Sequence, residues 1–517
     1  MKTHILLLLI FAIFIQNGQT AKILASVYSP SLSHQLAFRP IWHELASRGH
    51  DITLITTDPE ENAPYKQIDT SYSYKIMEEL GLGSIVSQQN SSKTSSFNTY
   101  INGLHKVSDY QFGTPEVEFL INNEKEKFDL LMLEVIYPGH MAFVDRFKAP
   151  FIGLVSLDAP PVIHRAVGNP TNPILYPDTV MPFTSNLTFK QRVVSFLANI
   201  GFYVFSTYFF YPNEDANVAK HFEGYTIRPL NDIQHDMDML FINVNPVFHK
   251  LRPLGPNTIQ IGGGTHLKEA KPLPKELEEY LNGSKNGVVY FSLGTNVKSN
   301  LLTDDLKETI IKTLGELPYD ILWKYDEDIT GLPKNIKVSK WIPQQDLFRH
   351  PQVKLFITQC GLQSVEEAIL MNVPIVGMPF FGDQHKNAQI VLEKEIGLVV
   401  DRTNVKKEEF KEKIIKVIED PKFKNNMKMI AKLMTDVEMT GLEKAVWWTE
   451  YVIRHKGAKH FKSYGTTDPF YTYFMLDVVC FVLLVLFIVF YVNWRILNFF
   501  VWLVFGRKKA DVKKKTN

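Results

Sequence analysis

Cysteine is nearly missing from this chain: Cys360 and Cys480 are the two present in 517 residues. No disulfide framework can therefore support the fold, and packing must hold it. Net charge is missing too, since 56 Lys and Arg stand against 55 Asp and Glu. That balance offers no electrostatic footprint for a nucleic-acid partner. The sequence has no GxGxxG fingerprint for a dinucleotide, no His/Cys/carboxylate cluster at metal-ligand spacing and no DxD pair in a suitable loop. The Asp-Glu-Asp of DEDIT (Asp326 to Thr330) reads as a cap after a strand. Neither a resident cofactor nor a metal is expected. No internal repeat or low-complexity tract stands out.

Long apolar runs, in contrast, are present at both ends. After one basic residue, Ile5 to Ile15 are apolar and small or polar residues follow. This is the pattern of a signal peptide spanning 1–20, with cleavage near Thr20. Val478 to Val492 form a second run behind the aromatic YTYF segment, enough with its flanks for one membrane-crossing helix at 473–493. The tail, 494–517, carries Arg507, Lys508, Lys509, Lys513, Lys514 and Lys515, as the positive-inside preference requires. Its last four residues, KKTN, match a dilysine retrieval signal, with a generic basic tail as the plainer reading. Together these features predict a single-pass type I protein of the endoplasmic reticulum membrane with its bulk in the lumen. Sequons at Asn90, Asn186 and Asn282 would permit glycosylation there.

Between the ends the chain alternates strand and helix. Ile23 to Val27, a helix carrying Leu36, Ile41 and Leu45, and Ile52 to Thr56 make a βαβ unit. Further strands are expected at Leu130 to Val135 and Phe151 to Val155. The pattern restarts at GVVYFSLGT (Gly287 to Thr295), followed by a helix near Lys307 to Leu314 and strands at Asp320 to Lys324 and Lys354 to Thr358. The prediction is an α/β protein of two facing Rossmann-like domains, 21–245 and 276–443, joined by a Pro/Gly-rich linker at 246–275. A returning helical segment follows at 444–472.

The densest chemistry lies between Trp341 and Gln384. This run opens WIPQQDL, passes through FITQCGLQSVEEA and closes VPIVGMPFFGDQ. It supplies an aromatic plate, several amide edges, a small-residue turn into a helix and a carboxylate–amide pair. Those parts suit a nucleotide-sugar. The run closely resembles the signature of the UDP-glycosyltransferases, and similarity extends over nearly all the chain. The resemblance implies the two-domain GT-B fold, with acceptor bound by the first domain and donor by the second. It also implies roles: Trp341 stacks on uracil, Gln344 meets the uridine, Gln359 and Ser364 contact the diphosphate, Glu367 binds the ribose, and Asp383 and Gln384 grip the sugar. Gln363 and Asn387 belong to the same donor set, and Thr295 sits where relatives offer a hydroxyl or N–H near the phosphates. His385 and Cys360 would line the site.

Sugar transfer needs a deprotonated acceptor hydroxyl, hence a base. His34, in the SPSLSHQ loop after the first strand, stands where the family places its catalytic histidine. The family orients that histidine with an Asp. Here FDLLMLEVIYP puts Glu134 at the position, a longer carboxylate, with Asp129 as the competing candidate at the far end of the strand. Gln359 replaces the His of many relatives and brings no charge, so leaving-group stabilisation would lean on the helix N-terminus that follows. Metal-free inverting transfer fits best. Ile242, where glucuronate-using relatives carry Arg, and the general likeness to insect members favour UDP-glucose as co-substrate. Tyr72 to Gly113 and Asn199 to Pro212 would shape a pocket for a small lipophilic acceptor, as in detoxification, unless those aromatics are core or membrane-facing. A homo-oligomer is compatible with the sequence. The alternative of a catalytically silent carrier rests on the departures at Glu134 and Gln359.

Overall fold

The computed structural model describes residues 20–80, 93–184, 186–295, 297, 299, 302–327, 329–463, 466 and 468–506. The signal segment, the sequon at Asn90 and the basic run from Arg507 onward lie outside the described residues. Asn186 and Asn282 are exposed.

The first half builds β1 (Lys22–Val27), α1 (Leu32–Ser47), β2 (Asp51–Thr56), β3 (Lys66–Asp69), β4 (Leu130–Glu134), β5 (Phe151–Val155), β6 (Met239–Ile242) and β7 (Thr258–Gln260). These strands form one parallel sheet in the order β3-β2-β1-β4-β5-β6-β7. Every residue of β4 and β5 is buried, because crossover helices cover both faces of a parallel sheet. Alternation along β1 sends Ile23, Ala25 and Val27 to one core, with Phe38, Ile41 and Trp42 of α1. Leu24 goes to the other core, with Phe112 and Phe143. The edge strand β7 falls inside the stretch expected to be linker. Its Pro- and Gly-rich flanks hide three strand residues from a pattern search.

The second half contains β8 (Val288–Ser292), β9 (Asp320–Lys324), β10 (Ile336–Ser339), β11 (Val353–Thr358), α2 (Leu362–Leu370), β12 (Ile375–Gly377), α3 (Gln384–Glu393) and β13 (Gly397–Val399). Its parallel sheet has the order β10-β9-β8-β11-β12-β13. Helix α4 (Gly441–His455) then crosses back to the first sheet, where Ala445, Val446, Val452 and Ile453 join the core that holds Phe38 and Trp42. Thr440 and Glu443 close a capping box at its start. Gly441 is required there, because a Cβ would collide with the Ile261 carbonyl.

A separate unit, 463–517, holds the helix Leu476–Val501. At 26 residues it spans ~39 Å, more than the ~30 Å of a bilayer's hydrocarbon. Leu476–Val504 is long and apolar enough to cross a membrane. The helix runs on past the predicted end at Asn493, because Ile496, Leu497, Phe499 and Phe500 keep the sequence apolar.

Candidate active site

In each sheet the strand order reverses once, between β1 and β4 and between β8 and β11. Strand ends diverge at such a point and open a crevice at the carboxyl edge. The two crevices supply the site.

At the first, the chain leaves β1 through Tyr28 to Ser31 and enters α1, whose first turn carries His34. Glu134 is the last residue of β4 and is fully buried. His34 Nδ1 lies 2.5 Å from Glu134 Oε1. The other carboxylate oxygen accepts from Ser29 N at 2.9 Å and Ser29 Oγ at 2.7 Å. Those two donors hold the longer side chain in place. Burial disfavours charge on His34, but the charge and hydrogen bond of Glu134, with the Asp383 carboxylate beyond, raise its pKa. Burial also opposes the Glu134 carboxylate, and His34 and Ser29 outweigh it and depress its pKa. Asp129 sits at the opposite edge, where it accepts from Lys22 N at 2.8 Å.

At the second crevice, β11 leads through Gln359 into α2. Gln359 is buried, and among the described residues its amide oxygen has no hydrogen-bond partner. Its amide nitrogen packs on Gly294, where φ is +75° and a Cβ would collide with it. Gln344 Nε2 donates to Ser364 Oγ at 3.0 Å and to Glu367 Oε2 at 2.6 Å. Glu367 Oε1 accepts from Gln345 Nε2 at 2.8 Å. Asp383 accepts from Asn387 Nδ2 at 2.7 Å, and that amide also donates to the Cys360 carbonyl at 3.0 Å. Burial raises the Asp383 pKa against that hydrogen bond. Gln384 Oε1 accepts from the backbone N–H of Phe380 and Phe381. Trp341 remains 65% exposed, an uncovered indole on the cleft wall.

Of the residues expected to act in catalysis or donor binding, all but Glu134 and Asn387 line a single cleft of about 590 Å³. Those two stand directly behind it, bonded to His34 and Asp383. Three expectations differ from the structure. Cys360 is fully buried with Sγ facing Gly377, and His385 lies off the cleft wall, so neither lines it. Ile242 ends β6 and faces a separate small cavity with Asp158, Arg252 and Lys386. The described residues of the stretches Tyr72 to Gly113 and Asn199 to Pro212 also stay off this wall. Ile76, Met77, Leu104, Val107 and Phe210 instead form an apolar cluster around Tyr28 and Tyr137. Phe189, Phe196, Leu197, Tyr208 and Phe209 are exposed.

The wall also holds residues for which the resemblance implies no role. Lys324 closes β9 and donates to the Gly294 carbonyl at 2.9 Å. Its place at a strand's carboxyl end was the available signal. Ser156 comes from the loop after β5, and Gln345 from the Gln344–Phe348 helix within the WIPQQDL run. Among the described residues no group of three His, Cys, Asp or Glu side chains could hold a metal ion.

Two facing parallel sheets with a cleft at their switch points define the GT-B class of glycosyltransferase. Os79 from O. sativa, solved in complex with U2F and trichothecene, superposes with a TM-score of 0.59 at 16% identity, over 83% of this chain and 100% of that one. The family described as UDP-glucoronosyl and UDP-glucosyl transferase matches residues 21–511, and this chain belongs to it. It is 30% identical to UDP-glucosyltransferase 2 of Dactylopius coccus, over 93% of this chain and 94% of that protein. It is 29% identical to human UDP-glucuronosyltransferase 2B7, over 99% of each. The chain is thus an enzyme that transfers a sugar from a UDP-sugar to an acceptor.

Proposed function

We propose that the chain is an inverting, metal-independent UDP-glucosyltransferase acting on a hydroxyl of a small lipophilic acceptor. The observation that carries this reading is the His34–Glu134 pair, set across the cleft from the Trp341–Gln384 motif. With Nδ1 committed to Glu134, Nε2 is the nitrogen that takes the acceptor proton. The acceptor oxygen then attacks the anomeric carbon. The bond from that carbon to the diphosphate oxygen breaks on the opposite face, and UDP leaves with the electron pair. Trp341 stacks on uracil, Glu367 with Gln344 binds the ribose, and Asp383 and Gln384 hold the sugar hydroxyls. The first N–H groups of α2, Ser364, Thr295 and Gln359 face the diphosphate. Lys324, at the Gly294–Thr295 turn, supplies the positive charge that Gln359 lacks.

Glucose as the sugar is supported by likeness to an insect UDP-glucosyltransferase. A lipophilic acceptor, and with it a conjugating or detoxifying role, is supported by the apolar side chains Leu32, Leu36, Leu157 and Phe381 on the cleft wall. Anchoring in the endoplasmic reticulum membrane, with the body lumenal, is supported by the helix Leu476–Val501 and the basic tail after it.

UDP release by microsomes carrying the chain, with UDP-glucose or UDP-glucuronate and a panel of small phenols, tests the reading. Acceptor-dependent release from UDP-glucose that disappears in His34→Ala supports it. Release from UDP-glucuronate alone would refute the choice of sugar.

A further inference from the structure

Behind the proposed ribose site lies a residue that no donor motif contains. His266 follows the glycines Gly262 to Gly264 on the segment leaving the first sheet, and it is buried. Its ring sits between two consecutive carboxylates of α2. Nε2 is 3.3 Å from Glu367 Oε1, and Nδ1 is 3.7 Å from Glu366 Oε2. Both carboxylates are buried, Glu366 completely. Glu366 is tied back to the same segment, since its Oε1 accepts from Gly263 N at 2.9 Å. Glu367 spends its oxygens on Gln344 and Gln345, two neutral amides. The remaining charges nearby are engaged elsewhere: Asp346 accepts from Arg349 Nη1 and Lys271 N. Lys268 and Lys271 line the cleft and meet the Gln344–Phe348 helix through their backbone N–H groups. Among the described residues His266 is the basic side chain within ion-pair range of both buried carboxylates.

We infer that His266 is a positioning residue of the donor site: as an imidazolium it holds the Glu366–Glu367 pair from behind, so that Glu367 meets the ribose hydroxyls in one orientation. The inference rests on the reading of Glu367 as the ribose ligand. Two adjacent buried carboxylates repel each other unless a cation lies between them. A neutral imidazole has one N–H, and its other nitrogen would turn a lone pair toward a carboxylate. Burial opposes charge on His266, yet the Glu367 carboxylate 3.3 Å away and the charge of Glu366 raise its pKa. Burial raises Glu366, while His266 and the two glutamines outweigh burial and depress Glu367. Donor affinity should accordingly fall as pH rises through the raised His266 pKa. This also couples the segment between the two sheets to the nucleotide.

The test compares binding of UDP and 2′,3′-dideoxy-UDP to the full-length protein in detergent, for wild type, His266→Gln and Glu367→Gln. Their affinity ratio within one preparation does not depend on the fraction folded, so a partly misfolded variant still reports. The expected result is a ratio about tenfold smaller in His266→Gln, the scale of one charge-assisted hydrogen bond. The wild-type ratio should also decline as pH rises through the raised His266 pKa, while that of the variant stays flat. In turnover the loss should fall on donor KM rather than kcat. A wild-type ratio in His266→Gln, with the ratio lost in Glu367→Gln, overturns the role of His266 and leaves the ribose site standing. An unchanged ratio in Glu367→Gln overturns the ribose reading, and the inference with it.

Discussion

Gln363 joins the two halves of the cleft. From the first turn of α2 its Nε2 donates to the Ser33 carbonyl at 3.2 Å and lies 3.5 Å from that of Ser156. Ser33 directly precedes His34, so this amide ties the donor helix to the backbone that aims the proposed base. Gln363→Ala should lower kcat roughly tenfold to a hundredfold through misalignment, with a smaller change in donor KM. Initial rates over a grid of both substrates separate the two effects.

Glu134→Gln keeps the shape and removes the charge. It should lower kcat by about a thousandfold or more, the scale of losing the carboxylate behind a catalytic histidine. The acid limb of the kcat/KM profile reports His34, which must be neutral to accept a proton. Burial pulls its pKa down, and Glu134 more than restores it. The variant's limb should therefore move to lower pH. In the wild type the raised His34 pKa favours folding fully below the usual value of 6.5, and this is lost as pH rises through the folded value. The depressed Glu134 pKa favours folding above the usual 4.5 and is lost as pH falls through its folded value. Denaturant midpoints across pH should show both limbs shrink in Glu134→Gln.

Lys324→Met should weaken UDP binding about tenfold while leaving uridine binding nearly unchanged, because a cation at the Gly294–Thr295 turn acts on the diphosphate. The salt dependence of UDP affinity should fall with it. Titration calorimetry with both ligands reads the difference.

Trp341→Ala removes the exposed plate at the start of the motif. A stacked base is worth roughly 1–3 kcal/mol, so donor KM should rise by about one to two orders of magnitude. Stability should hardly move, because the indole is 65% exposed. Thermal unfolding and donor KM, measured on one preparation, check both halves.

Gly441→Ala should destabilise the body by roughly 2–4 kcal/mol, since its Cβ meets the rigid Ile261 carbonyl. A lowered Tm with donor-site residues untouched is the expected result.

Much of this was legible beforehand for a specific reason. Strands buried on both faces read as unbroken apolar runs, so Phe151–Val155 and Asp320–Lys324 are where the pattern puts them. The β7 strand and the far end of the membrane-type helix were not, because three residues carry no period and an apolar run has no internal stop. Cys360 looked like site lining because it sits inside the motif. The turn gives it φ of +65° and buries its sulfur against Gly377.

The sequence by itself determined the two βα-alternating halves, the apolar C-terminal helix and the motif residues at their spacing. All of these are local: a period, a run length or a count along one strand–turn–helix unit. Only the tertiary structure decided that Glu134 rather than Asp129 meets His34, that Gln363 reaches Ser33, and that His266 lies between Glu366 and Glu367. Each of those contacts joins segments far apart in the chain. Such contacts exist because strand order and helix packing close loops that no local pattern encodes.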